Sequence, residues 1–208
     1  MNEFWNSETT EASWEGLKTL SKETKFVLIG GWAAYLHTKL QKSKDIDIVV
    51  DYGALRLLES NYQLSKNERL MKYEIKKDRY DIDIYLSDYS RLVIPPKDIL
   101  QKYHTTIDGF ETATAESLMA LKLGAAADRG KTSKGQKDHI DILGLLFYSK
   151  PELKTLQKIL SEYKISGYIK LLESILANFD LRDLNYLNLN ENSFAKLKRK
   201  YIAEIKEL

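Results

Sequence analysis

The chain reads as an α/β protein: a mixed β-sheet core flanked by helices, followed by an all-helical C-terminal region. Three observations predict this. Short apolar or alternating runs at Phe26–Ile29, Asp45–Val50 and Tyr80–Leu86 are rich in β-branched residues and are separated by helix-like segments. From Ala115 onward, five segments in succession carry leucine and isoleucine at helical spacing, with no strand signal between them. Of the 208 residues, 43% are hydrophobic and 30% charged, enough apolar material to build a core and to exclude a disordered chain.

Taken in order, residues 1–25 are polar with scattered Trp5, Trp14 and Leu17, and predict a leading helix from about Thr10. Phe26–Ile29 is a buried strand stopped by Gly30-Gly31 at a tight turn, and Trp32–Leu40 continues as a helix. Asp45–Val50 is a strand, and Ala54–Asn61 a short helix. Leu70–Ile75 and Tyr80–Leu86 pair as a hairpin across the polar turn Lys76–Arg79. Pro95-Pro96 opens a helix near Lys97, because proline is tolerated in a first turn. Asp108-Gly109 joins Thr105–Ile107 to Phe110–Thr112 as a second hairpin. Helices follow at Ala115–Arg129, Lys137–Ser149, Glu152–Tyr163, Ile165–Phe179 and Ser193–Glu207, with a loop at Gly130–Gln136. The expected division is 1–114 for the core with its N-terminal helix and 115–208 for the helical region.

Composition removes several function classes. No cysteine is present, so disulfides, thiolate zinc sites, iron–sulfur clusters and cysteine nucleophiles are excluded together. His37, His104 and His139 lie far apart and form no spaced ligand pair. With 32 basic against 30 acidic residues, the net charge of +2 indicates no partner by itself. The uncharged run Phe26–Leu36 is shorter than the roughly 20 residues a membrane span needs, and no basic-then-apolar leader opens the sequence. The expectation is a cytoplasmic protein that does not engage a membrane.

The chemistry concentrates in carboxylates on strands. Gly30-Gly31 is followed, after thirteen residues, by Asp45-Ile46-Asp47, and later by Asp81-Ile82-Asp83. Residues i and i+2 of a strand share a face, so each pair projects together while Ile46, Ile48, Ile82 and Ile84 turn to the core. Two like charges 4 Å apart repel by about 4 kcal/mol at an effective dielectric near 20. A divalent cation relieves such a cluster, and carboxylate oxygen suits Mg2+. A solvated strand face is the plainer reading of either pair alone; two pairs downstream of a glycine turn favour the metal. The glycines either permit a sharp turn or let phosphate approach the backbone at the start of a helix. Tyr80 and Tyr85 flank the aspartates, where a ring can stack on a base.

Phe26–Val50, reading FVLIGGWAAYLHTKLQKSKDIDIVV, resembles the signature of the nucleotidyltransferase superfamily related to DNA polymerase β: a glycine pair ending a strand, a helix, then Asp-x-Asp, with a third carboxylate on a later strand. Leu118–Leu146 adds a likeness to the AbiEii/MenT group of nucleotidyltransferase toxins, with Lys122, Arg129, Lys137, Asp138 and Asp141 at the matching positions. The resemblance spans about residues 24–148. Two departures stand out. Gly31 is followed by Trp32 where many relatives have serine, and Gln41-Lys42-Ser43-Lys44 replaces an Arg-x-Thr-Lys pattern.

The resemblance implies transfer of a nucleoside monophosphate from a nucleoside triphosphate to an acceptor hydroxyl, with two Mg2+ ions, or Mn2+ in their place. Asp45, Asp47 and Asp83 would be the catalytic and metal-binding residues, Asp81 being the alternative to Asp83. Gly30, Gly31, Ser43, Lys44, Lys122, Arg129, Lys137 and Asp138 would bind the nucleotide. Five basic residues against two acidic ones over Lys122–Asp138 add a local positive patch. RNA, tRNA in particular, would be the acceptor, and the chain the toxin of a pair with a cognate antitoxin protein. The alternatives are transfer to a small molecule, as antibiotic-modifying enzymes do, or to a protein hydroxyl, and a non-catalytic nucleotide-binding or antitoxin module.

Overall fold

The computed structural model describes residues 4–130 and 132–208. Seven strands form one mixed sheet in the order β3-β4-β5-β2-β1-β7-β6. They are β1 Val27–Ile29, β2 Ile46–Val50, β3 Ser65–Asn67, β4 Lys72–Lys76, β5 Asp81–Leu86, β6 His104–Ile107 and β7 Phe110–Ala113. The helices are α1 Ser7–Glu23, α2 Gly30–Thr38, α3 Tyr52–Asn61, α4 Pro96–Gln101, α5 Ala115–Arg129, α6 Ser133–Gly144, α7 Leu153–Glu162, α8 Tyr168–Ala177 and α9 Glu191–Lys206. A π-helical turn, Leu145–Ser149, prolongs α6, and a 3-10 helix spans Leu181–Leu187.

Period-two patterning sets the central strands. Ile46, Ile48, Ile82 and Ile84 are buried, whereas Asp47, Asp81 and Asp83 remain partly accessible on the other face. β2 runs antiparallel to β1 and parallel to β5, and β4 closes the expected hairpin onto β5. A single apolar cluster joins Leu28, Ile48 and Ile84 of the sheet to Trp32 of α2, Leu118 and Leu123 of α5, and Ile140 and Leu143 of α6. α5 and α6 pack on each other and on α2, and residues of both helices line a cleft with Asp47 of β2 and Asp83 of β5.

Trp32 explains one departure. It is buried, its indole N–H donates to Ser13 Oγ at 2.8 Å, and its ring lies 4.9 Å from that of Trp14. The residue after the glycines thus fastens α1 against α2.

Several boundaries differ from expectation. α1 starts at Ser7, not Thr10, because the Asn6 side chain caps it by accepting the Glu8 N–H. The loop expected at Gly130–Gln136 is already helical from Ser133, with Thr132 accepting the Gly135 N–H; Lys131 of that stretch lies outside the described residues. β3 and the 3-10 helix have no counterpart in the sequence reading. Ser-Lys-Asn carries no apolar alternation, as befits a polar edge strand.

Candidate active site

Strand register assembles a row of carboxylates. Asp47 on β2 lies opposite Asp83 on β5, and Asp83 in turn lies opposite Glu74 on β4. Like charges facing each other across strands are destabilising. The compensating cation is Lys72, two residues before Glu74 and so on the same face of β4. Its Nζ stands 2.5 Å from Asp83 Oδ2 and 3.0 Å from Glu74 Oε1, and Lys72 is buried. Asp83 Oδ1 is buried with no hydrogen-bond partner. Asp45 precedes β2 by one residue; its Oδ1 accepts the Asp81 N–H at 3.4 Å, and Lys134 Nζ lies 3.9 Å from its Oδ2. The Asp81 carboxylate instead takes Lys76 at 2.8 Å, an exposed partner.

The glycine turn is shaped by these side chains. Gly30 has φ +68°, and a Cβ there would collide with the Asp47 carboxylate. A Cβ on Gly31 would collide with Ser43, which is itself buried. The glycines therefore make room for Asp47 and Ser43, a role not foreseen from sequence. α2 begins at Gly30, and Ile29 at its N-cap supplies no side-chain acceptor to the first turn.

Facing the carboxylates is an ion network between α5 and α6. Lys122 Nζ bridges Asp138 Oδ1 at 3.0 Å and Asp141 Oδ2 at 2.7 Å. Arg129 Nη1 reaches Asp138 Oδ2 at 2.8 Å, and Lys137 Nζ reaches Asp141 Oδ1 at 2.5 Å. Helical spacing produces it: Lys122 and Arg129 lie two turns apart on α5, while Lys137 and Asp141 are i and i+4 on α6. Burial alone would lower Lys122, but Asp141 and Asp138 raise it above the usual lysine range. Burial prevails at Lys137 and lowers it despite Asp141. Burial would raise Asp138, yet Lys122 and Arg129 hold it below the usual carboxylate range.

Removing the bridging cation should be costly. Breaking a buried pair costs about 3–5 kcal/mol, because a charge is left without its partner. Lys122→Met is expected to lose about 3 kcal/mol in denaturant unfolding, Arg129 and Lys137 still serving the two aspartates. Adding Asp141→Asn should restore part of the loss, and a loss below about 1 kcal/mol in the single variant would contradict the ledger of this network.

One cleft unites the two sides. Gly31, Ser43, Lys44, Asp45, Asp47, Asp83, Lys122, Arg129, Lys137 and Asp138 line it, so nearly all the residues singled out from sequence meet there; Gly30 lies beneath Asp47. Lys134, Asp141 and Trp5 line it as well. Lys134 and Trp5 gave no motif signal, and Lys72 could have been found only from the Lys72/Glu74 alternation on β4. Tyr80 is committed elsewhere, whereas the Tyr85 hydroxyl is hydrogen-bonded to Asp47 on the carboxylate face. Tyr80 packs its hydroxyl where a Cβ on Gly16 of α1 would be. Tyr85 is raised well above the usual tyrosine range by burial and by the Asp47 and Asp83 charges.

Asp47 is pushed up to about 7 from 3.8, by burial first and then by the Asp83 charge, with Lys122 opposing and Asp45 adding to the rise. Burial also raises Asp83, against the pull of Lys72. For Asp47 the folded state holds the proton more tightly than the unfolded chain. Its penalty is therefore absent below about pH 4, accumulates as pH rises, and is complete above about pH 7. The shift corresponds to a difference on the order of 4 kcal/mol. In metal-free buffer, Asp47→Asn should gain stability over wild type progressively from pH 5 to pH 8. Parallel unfolding profiles for the two proteins would refute it.

Among the described residues no three His, Asp or Glu side chains already converge as a metal cage. Mg2+ seldom needs one: it is held by one or two carboxylates, with waters and substrate phosphates completing its shell. The hard-oxygen donors, the charge crowding at Asp47 and the unpartnered Asp83 Oδ1 fit that mode.

The chain is similar in structure to JHP933 from Helicobacter pylori, with a TM-score of 0.56, 17% identity, and coverage of 98% of this chain and 96% of that one. It is also similar to a candidate nucleotidyltransferase from H. pylori, with a TM-score of 0.52, 15% identity and 98% coverage of both chains. The fold is shared end to end. The seven-stranded mixed sheet with flanking helices and a helical C-terminal part is thus a nucleotidyltransferase-like fold. No protein-family model and no curated protein matches the sequence.

Proposed function

We propose that this chain is a Mg2+-dependent nucleotidyltransferase, transferring a nucleoside monophosphate from a nucleoside triphosphate to an acceptor hydroxyl. The observation that carries the reading is the pairing of Asp47 with Asp83 in strand register, beside the Gly30-Gly31 turn and opposite the Lys122–Arg129–Lys137 network. Asp45, Asp47 and Asp83 would hold Mg2+, which when bound supplies charge neutralisation at the phosphates. The open first-turn N–H groups of α2, with Ser43 and Lys44, bind the triphosphate. Lys122, Arg129 and Lys137 present positive charge to it, each oriented by Asp138 or Asp141. The acceptor oxygen bonds to the α-phosphorus, and the bond to the bridging oxygen breaks. Pyrophosphate departs with that electron pair, and the hydroxyl proton passes to Asp83, whose Oδ1 lacks a donor.

Exposed Lys44 and Lys134 at the cleft support a polyanionic acceptor, and RNA, tRNA included, is the acceptor we favour. A toxin role with a cognate antitoxin rests on the AbiEii/MenT resemblance. No helix among the described residues is long and apolar enough to cross a membrane. The Lys72–Asp83 bridge favours a second reading, a nucleotide-binding module whose third carboxylate is already neutralised.

One experiment separates these. The protein is incubated with Mg2+ and each α-labelled triphosphate in turn, against total tRNA, cell protein and aminoglycosides. Label in tRNA is expected. Label confined to small molecules or to protein overturns the RNA acceptor, and binding of triphosphate without label anywhere favours the non-catalytic module.

A further inference from the structure

Trp5 stands apart from the other tryptophans. Trp14 and Trp32 belong to the hydrophobic core or pack against it, whereas Trp5, among the described residues, does not join that cluster. It is half-buried and lines the carboxylate cleft, where the other lining residues are aspartate, lysine, arginine, serine and a glycine. A large indole that leaves the core to border a polar, charged cleft forgoes burial energy unless something planar and apolar covers it.

Its neighbour fixes it there. The Phe4 N–H donates to Gln41 Oε1 at 3.0 Å, and Gln41 Nε2 donates to the Tyr186 carbonyl at 3.0 Å. The Phe4 ring packs 5.5 Å from Tyr186 and 5.0 Å from Trp5 in an edge-on arrangement. Gln41 is buried and opens the stretch that leads through Ser43 and Lys44 to Asp45. Gln41 thus holds the N-terminal segment against the stretch that leads to Asp45. That fastening holds Trp5 at a cleft it lines together with Gly31, Ser43 and Asp47.

We propose that Trp5 is the platform on which the base of the bound nucleoside triphosphate stacks. The inference rests on the nucleotidyltransferase reading and extends it to the contact with the base. Every base offers a π face to an indole, so the contact favours purines over pyrimidines without selecting one base by hydrogen bonds. Tyr80 packs against α1 and Tyr85 is hydrogen-bonded to Asp47, so the ring is supplied from the N-terminal segment instead.

The test compares Mg2+–ATP, –GTP, –CTP and –UTP with Mg2+–tripolyphosphate by calorimetry, in the full chain and in Trp5→Ala and Trp5→Phe. Trp5→Ala should weaken nucleoside triphosphates about tenfold, most for purines, and leave tripolyphosphate unchanged. Trp5→Phe should recover most of the affinity. ATP should also quench indole emission in wild type and not in Trp5→Phe, since Trp14 and Trp32 are packed within the fold. Equal loss of nucleotide and tripolyphosphate in Trp5→Ala would overturn the inference in favour of a merely structural ring. So would unchanged nucleotide affinity, with or without weakened binding of an RNA acceptor. Failure of wild type to bind any of the five ligands would instead overturn the nucleotidyltransferase reading, and this inference with it.

Discussion

Asp47→Ala and Asp45→Ala are each expected to reduce nucleotidyl transfer by roughly three orders of magnitude or more, while the fold survives. Little covalent chemistry falls to the protein in phosphoryl transfer, so the loss of one electrostatic partner at the reacting phosphate is felt almost wholly in the rate. Structure makes the two variants unequal in every other respect. Asp47 is the crowded carboxylate, pushed up to about 7 by burial and by Asp83, and its removal relieves that strain. Metal-free Asp47→Ala should therefore melt no lower than wild type at pH 8. Asp45→Ala gives up one long hydrogen bond from the Asp81 N–H and a weak approach of the exposed Lys134, and should cost less than about 1 kcal/mol. Single-turnover transfer and thermal unfolding on the same samples decide the matter. Wild-type activity in either variant removes the metal-site assignment, and a dead but unfolded variant says nothing for it.

The candidate site's arrangement was legible in the sequence wherever its geometry is local. Asp45 and Asp47 share a face because a strand has a period of two, and Lys137 and Asp141 meet because a helix has a period of 3.6. The fold class followed from the same two periods. What escaped depends on long-range register or on side chains with no periodic signature. Lys72 matters only because β4 lies antiparallel to β5 with Glu74 opposite Asp83. Trp5 sits in a polar segment and reaches the cleft through Gln41, thirty-six residues further along. The glycines were recognised, but not for what they touch. Beside phosphate approach, the natural reading of Gly30-Gly31, the space a Cβ would need is taken by Asp47 and Ser43. Gln41 and Trp32 looked like defects against the family pattern, yet both serve packing, one holding Phe4 and Tyr186, the other joining α2 to α1.

Asp83→Ala should lose transfer by several orders of magnitude, and Asp81→Ala by less than about threefold. The sequence could not separate them, since both lie on one face of one strand. Register favours Asp83 as the one to test first: it is opposite Asp47, whereas the Asp81 carboxylate turns to Lys76, whose side chain is 59% exposed. An exposed pair of that kind contributes about 0–1 kcal/mol, and what Asp81 offers the site, its backbone N–H to Asp45, survives the change to alanine. The variants should also differ in what they keep. If the triphosphate is gripped through Asp45, Asp47 and the glycine turn, Asp83→Ala still binds Mg2+–nucleotide within about tenfold of wild type while failing to transfer. Lys72 retains Glu74 at 3.0 Å in that variant, so the strand hairpin should hold. Calorimetry and single-turnover transfer on both proteins give the four quantities needed. An inactive Asp81→Ala beside an active Asp83→Ala would mean that the reacting carboxylate is the one nearer the start of β5. The Lys72–Asp83–Glu74 cluster would then be a structural bridge between β4 and β5, with the reaction class left standing.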